Sequence, residues 1–230
     1  DVIFNKDRNY FVKITSHTST YTPTEKRTPN EYVFCCKHHF KVYKNVNITK
    51  SLWQLNPKKQ AKNPQAWDNL QYHSSKKKHI LQVGLFYECK NQKYTIELAK
   101  LLTNEDYVFH FVGNQADNFK SYWEDIEFPE NCVWWGERSD LENLYSIADL
   151  FIMPSKAELN PISIKEALSY DIDCLVSNLE TIKNNNLLTT KFHFLTGNAK
   201  ADAEKIKHII NKDLLYHVKF DSSSLGDSIA

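Results

Sequence analysis

Two glutamates and one lysine, Glu158, Glu166 and Lys90, are the side chains whose surroundings could do chemistry. The glutamates lie in the stretch 149–177, DLFIMPSKAELNPISIKEALSYDIDCLVS. An apolar run, Leu150–Met153, ends at Pro154-Ser155, and a loop carrying Glu158 follows. Asn160-Pro161 reads as a helix start, because Asn is a good N-cap and Pro at the first helical position gives up a donor that would be orphaned anyway. Glu166 falls in the second turn of that helix, and a second apolar run, 174–176, closes the unit. Strand, loop, helix, strand is a βαβ unit, in which a ligand sits beyond the strand's carboxyl end and faces the helix N-terminus. The plainer alternative makes Glu166 an outward surface acid or a capping-box partner of Ser163.

Lys90 stands in a similar place. The apolar run 80–86 (ILQVGLF) contains Gly84, and Lys90-Asn91-Gln92 opens the helical pattern after it. A lysine there can reach a phosphate as a flexible point charge while the helix N-terminus supplies N–H donors. The alternative is a surface lysine at a loop end. No G-x-G-x-x-G follows a strand and no G-x4-G-K-[ST] occurs, so dinucleotide dehydrogenase and P-loop readings lose most of their support. A bound diphosphate must then rely on helix N-termini and point cations. Gly84, Gly113, Gly136 and Gly197 each lie at or just after the end of an apolar run, where a parallel sheet turns and a ligand can approach the backbone.

The elements that would position these groups alternate. Apolar runs at 80–86, 107–112 (YVFHFV), 132–135 (CVWW), 150–153, 174–176 and 192–195 are separated by helical patterns at 91–102, 117–126, 140–148, 160–169, 179–188 and 201–210. In the first of these, Ile96, Leu98, Ala99 and Leu102 share one side; Ser139 with Glu142 forms a capping box for the third. This order predicts an α/β fold, a doubly wound parallel sheet with helices on both faces. Before it, strands are expected at 10–15, 32–36 and 48–55, with a loop over 16–30 and a short helix near 37–46. Residues 57–78, polar and ending in three lysines, read as a linker, and 216–230 as a frayed tail.

Composition bounds the function. Of 230 residues, 41% are hydrophobic and 25% charged, as in ordinary globular proteins. Lysine plus arginine number 29 against 28 acids, a net charge of +1, which gives no electrostatic case for nucleic acid. No apolar run approaches the roughly 18 residues of a membrane span, and no signal peptide is read. The chain opens with Asp1, as a processed protein or a piece of a longer one would. Five scattered cysteines suggest reduced thiols and a cytoplasmic location. The string CCKHH at 35–39 lacks the ligand spacing of a zinc site, so no metal is expected there.

Taken together, these motifs resemble the group 1 glycosyltransferases, nucleotide-sugar enzymes with the two-domain GT-B fold. The resemblance rests on Gly84 with Lys90-Asn91-Gln92, VGN at 112–114, WGERSDLENLYSIADLFIMPS at 135–155, and the E-x7-E pair followed by Ala-Leu-Ser. It covers about 79–195, with fainter likeness back to Tyr32. It implies a Rossmann-like donor domain over 79–215, preceded by a partial acceptor-domain segment at 1–56. It implies that Lys90 binds the donor diphosphate and that Glu158 contacts donor-sugar hydroxyls, these two being the catalytic candidates. The backbone of Leu159, Asn160 and Ile162 would line the diphosphate, and Glu166 would take the ribose hydroxyls, as an acceptor with two oxygens can. Gly84 and Gly113 would lie on the same rim, with Gly136 and Arg138 near the base. The implied partner is a nucleotide-sugar co-substrate such as a UDP- or GDP-sugar, with no metal, no further cofactor and retention at the anomeric carbon.

The sequence also departs from the family. Leu85 stands where an arginine usually follows the first-strand glycine, which removes a fixed cation from the leaving group; one such electrostatic donor is worth around 3 kcal/mol in other enzymes. Leu159 and Pro161 replace the usual glycines beside the first glutamate, and Asp171 and Asp173 replace the Gly and Pro expected before the next strand. No acceptor-side catalyst can be assigned in the first eighty residues, His17 included. Two further readings therefore stay open: a non-catalytic nucleotide-sugar-binding or assembly module, and a nucleotide-sugar epimerase of related fold.

Overall fold

The computed structural model describes residues 2–5, 10–15, 31–34, 49–52, 58–72, 77–103, 105–158, 161–183 and 190–211. In chain order its elements begin with β1 (Val2–Asn5), β2 (Tyr10–Thr15), β3 (Glu31–Phe34), β4 (Thr49–Leu52) and α1 (Ala66–Leu70). Then come β5 (Lys78–Val83), α2 (Gln92–Leu101), β6 (Tyr107–Val112), α3 (Lys120–Trp123), β7 (Cys132–Trp134) and α4 (Leu141–Ile147). They end with β8 (Leu150–Met153), α5 (Ile162–Ser169), β9 (Asp173–Val176), α6 (Glu180–Lys183), β10 (Phe192–Phe194) and α7 (Ala199–Ile210). No described helix is long and apolar enough to cross a membrane.

The strands form two sheets. β1 to β4 make a four-stranded sheet in sequence order, with β1 antiparallel to β2 and the other pairs parallel. β5 to β10 make a six-stranded, all-parallel sheet in the order β10-β9-β8-β5-β6-β7. Counted within that sheet, the order is the 3-2-1-4-5-6 of a dinucleotide-binding fold, and it reverses between β5 and β8. The expected doubly wound α/β fold is the observed one.

The period of two along each strand sends side chains to two cores. Ile80, Phe109, Phe111, Leu150, Ile152 and Leu175 pack on one face against α2 and α7, through Ile96, Leu98, Ala99 and Ile206. Leu81, Val112, Phe151, Met153, Cys174 and Val176 pack on the other against α1, α4, α5 and α6. The register agrees, since Ile80 pairs with Leu150 and Leu81 with Phe151. All four residues of β8 are buried, as a central strand covered on both faces requires. Burying a side chain such as Leu98 contributes about 1.5–3 kcal/mol.

Several local expectations need correction. The expected linker carries α1, whose Ala66 and Leu70 are buried in the same core as α4. Trp67 and the following Tyr72 pack against a buried polar pair: His79 Nδ1 lies 2.8 Å from His110 Nε2, with the Trp67 and His79 ring centroids 4.8 Å apart. The capping box at Ser139–Glu142 is absent. Asp140 takes the cap position without a side-chain cap bond, because its carboxylate is held by Arg138 instead. The helix expected at 117–126 breaks into a 3-10 turn, Asp117–Phe119, and the single turn α3, neither of which buries a residue. α5 begins at Ile162, one position later than expected, with Pro161 extended before it. Of the 179–188 helix, Glu180–Lys183 is observed and 184–189 lies outside the described residues, as do 16–30 and the expected helix at 37–46. β1 was not anticipated.

One buried acid anchors the last helix. Asp202, fully buried, accepts from the Thr196 N–H (2.9 Å) and hydroxyl (2.8 Å), the Gly197 N–H (3.1 Å) and the Tyr94 hydroxyl (2.5 Å). These bonds satisfy a carboxylate that would otherwise be costly to bury, and they fasten α7 to α2.

Candidate functional site

A doubly wound sheet opens a crevice outside the carboxyl ends of its strands where the strand order reverses, because the crossovers on either side leave in opposite directions. Here that point lies between β5 and β8. The loop after β5 carries Lys90 and the loop after β8 carries Glu158. Their side chains meet: Lys90 Nζ is 2.5 Å from Glu158 Oε1, with side-chain exposures of 23% and 10%. The ammonium and the first of the two glutamates are thus on the same side of the sheet, in one cleft.

The loops are fastened to each other as well. Asn91 Nδ2 donates to the Pro154 carbonyl (3.2 Å), the Lys156 N–H to the Cys89 carbonyl (2.7 Å), and the Cys89 thiol to the Ala157 carbonyl (3.3 Å). Asn91 adopts a left-handed conformation (φ 54°), which Asn tolerates, and this lets the 3-10 turn Glu88–Lys90 pass into α2. Two buried glutamines brace the first loop from below. Gln82 Nε2 donates to the Lys90 carbonyl (2.9 Å), and Gln92 Nε2 to the carbonyls of Leu85 (2.9 Å) and Gly84 (3.3 Å). Lys156 and Glu88 pair at the exposed rim, where such a contact contributes little.

Three of the glycines form a row across the carboxyl ends of β5, β6 and β7. The Gly84 N–H donates to the Val112 carbonyl and the Gly113 N–H to the Gly136 carbonyl, both at 2.8 Å. The stem of Lys90 runs over Gly84: a Cβ there would sit 3.4 Å from Lys90 Cδ. Gly197 stands apart, after the edge strand β10, bound to Asp202.

The remaining expected residues are placed as follows. Glu166, half-buried on α5, accepts at Oε2 from the Tyr145 hydroxyl (2.8 Å); it is neither an outward acid nor a cap. Arg138 forks onto Asp140 through Nε and Nη2, both at 2.7 Å, and lies 5.1 Å from the Trp135 ring. That fork pushes the Asp140 carboxyl down to about 2, and the charge of Arg138 is already paired with it. Ile162, the first residue of α5, is half exposed. Leu159 and Asn160 lie outside the described residues.

Residues 65–220, most of the chain, match the family model of the glycosyl transferases group 1. The chain belongs to that family. Among curated relatives, it is 28% identical over 149 residues to the UDP-Gal:alpha-D-GlcNAc-diphosphoundecaprenol alpha-1,3-galactosyltransferase of Escherichia coli. That match covers 57% of this chain and 38% of the relative, so the chain spans well under half of the curated protein it matches. Among solved structures, Anabaena HepE in complex with UDP and glucose superposes with a TM-score of 0.71 at 13% identity, over 90% of this chain and 62% of that one. A glycosyltransferase from Rickettsia africae gives 0.61 at 17% identity, over 79% and 53%. At these identities the likeness is one of fold.

Gln82, and Tyr145 bonded to Glu166, escaped the sequence reading, and Gln92 entered it as part of a motif without its bracing role. Gln82 had a signal: it is a polar residue inside the apolar run ILQVGLF, and a buried polar side chain in a strand needs a partner. Leu85, at the position of the usual family arginine, holds the Gln92 amide through its carbonyl and supplies no charge.

Proposed function

We propose that the chain is the donor-binding part of a retaining glycosyltransferase, which holds a nucleotide sugar at the β5/β8 switch point and passes its sugar to an acceptor hydroxyl. The observation that carries this reading is the Lys90–Glu158 pair, a cation from one crossover and a carboxylate from the other, 2.5 Å apart. In this reading Lys90 leaves Glu158 for the donor diphosphate, and Glu158 turns to the sugar hydroxyls. Glu166 accepts from the ribose. As the bond between the anomeric carbon and the phosphate oxygen breaks, negative charge grows on the departing diphosphate. A fixed ammonium is worth more against that developing charge than against the ground state.

Residues 1–56 are then the closing part of an acceptor domain and 79–215 the donor domain, with α1, from the intervening stretch, packed into the core of the latter. The names of the E. coli relative and of the HepE complex make uridine donors the first to test. The described cysteines Cys89, Cys132 and Cys174 are free thiols, in keeping with a cytoplasmic site of action. Calorimetry with UDP- and GDP-sugars tests the donor site. Saturable binding that weakens at least tenfold in Glu166→Ala is expected, and no binding of either donor would remove the assignment.

A second reading, a nucleotide-sugar-binding module without turnover, is favoured by Leu85 alone. Donor hydrolysis that disappears in Lys90→Ala would rule it out.

A further inference from the structure

Tyr145 is a buried phenol, 2% exposed, on α4 beneath the cleft. Its ring stacks on Tyr170, centroids 5.5 Å apart and planes at 13°, and lies against Phe151. These contacts account for the ring. They do not account for the hydroxyl, which costs free energy to bury unless it is bonded. Its bond goes to Glu166 Oε2 at 2.8 Å, with the Ser163 carbonyl more distant at 3.4 Å. Among the described residues, Oε1 of Glu166 has no hydrogen-bond partner.

We infer that Tyr145 is a positioning residue for Glu166, fixing the plane of its carboxylate so that Oε1 and the remaining lone pair of Oε2 meet the ribose hydroxyls of the bound nucleotide. This inference rests on the donor-site reading above. A glutamate side chain has three rotatable bonds, and the terminal one is soft. Free in the cleft, it would have to be ordered by the ligand, at the ligand's cost in affinity. The phenol removes that freedom beforehand. Burial, and then the charge of Glu166, push the Tyr145 hydroxyl far above its ordinary range, so it stays protonated and donates at every working pH. The selectivity this sets is between a ribonucleotide and its 2′-deoxy counterpart.

The test uses the whole chain and isothermal calorimetry with UDP, GDP and their 2′-deoxy forms. The wild type should prefer the ribonucleotide by roughly tenfold or more, as expected when a ligand hydroxyl bonds a charged acceptor. Tyr145→Phe keeps the ring and its stacking, so the unfolding midpoint should move by only a few degrees. The preference should fall to within about threefold, and Tyr145→Phe should add nothing in a Glu166→Ala background, as residues acting through one contact behave. A Tyr145→Phe protein that keeps the ratio of the two forms, whether or not it binds both more weakly, shows that the phenol does not set the ribose contact, which overturns the inference and leaves the donor site standing. A wild type that binds neither nucleotide overturns both.

Discussion

A methyl group placed on Gly113 lies 2.0 Å from the carbonyl oxygen of Gly84. The two residues end neighbouring strands at the lip of the crevice, and their backbones touch where any side chain would intrude. The φ of Gly113, 151°, is also one that other residues rarely adopt. We expect Gly113→Ala to destabilise the fold by about 3 kcal/mol or more, since backbone must shift and strain adds to the clash. Gly197 is the control: its φ is 82°, yet nothing lies within 4 Å of an added Cβ. Gly197→Ala should cost only about 1–2 kcal/mol. Urea unfolding of both variants measures the difference, and equal losses would refute the close-packing account.

The buried pair His79 and His110 predicts an acid sensitivity. The Trp135 indole N–H, which can only donate, bonds His110 Nδ1 at 3.0 Å. Neutral His110 then carries its proton on Nε2 and donates to His79 Nδ1. Tyr72 packs over the ring, and burial followed by the neighbouring His79 pushes His110 down to about 3. Between that value and the ordinary histidine pKa of ~6.5 the unfolded chain binds a proton that the folded one refuses. Stability therefore falls as pH drops through this window, by roughly 1.4 kcal/mol per pH unit from this one group. His110→Gln should flatten that slope between pH 6 and pH 4, as read from urea midpoints at each pH. An unchanged slope would show that His110 is not the group responsible.

Gln82 should matter to binding more than to stability. Its Nε2 holds the Lys90 carbonyl, while its Oε1 is buried without a partner among the described residues. Gln82→Leu removes a good hydrogen bond and an unsatisfied acceptor together, and the two effects partly offset, leaving a stability change within about 1.5 kcal/mol. The loop carrying Lys90 loses its brace, so UDP affinity should fall several-fold. Calorimetry and unfolding on the same preparation decide it. Unchanged affinity would mean that the brace serves the fold alone.

The sequence was legible where order is local. The runs 107–112 and 150–153 are strands because near-continuous apolar residues are buried on both faces, and 91–102 reads as a helix from one apolar side. What joins distant segments was not. Lys90 and Glu158 are 68 positions apart, and no local pattern encodes the pairing of β8 with β5 that brings them together; only the family resemblance put both at one site. The Ser139–Glu142 cap signal failed because the helix begins at Leu141 with Asp140 at the cap position, which puts Glu142 one place too early for a box. The polar stretch before β5 hid α1, since within that helix the apolar residues turned to the core are Ala66, Trp67 and Leu70 and the rest is polar. Composition averaged over 57–78 conceals a single buried turn.

The central claim is that Lys90 and Glu158 hold each other until a donor diphosphate replaces the pair. The most direct measurement is the dissociation constant of UDP, by calorimetry, for the wild type, Lys90→Ala and Lys90→Arg. Loss of a charge-assisted contact to phosphate is worth about 1.5–3 kcal/mol, so Lys90→Ala should bind roughly 10- to 100-fold more weakly, with Lys90→Arg in between. UDP binding that is equally tight in Lys90→Ala would contradict the account.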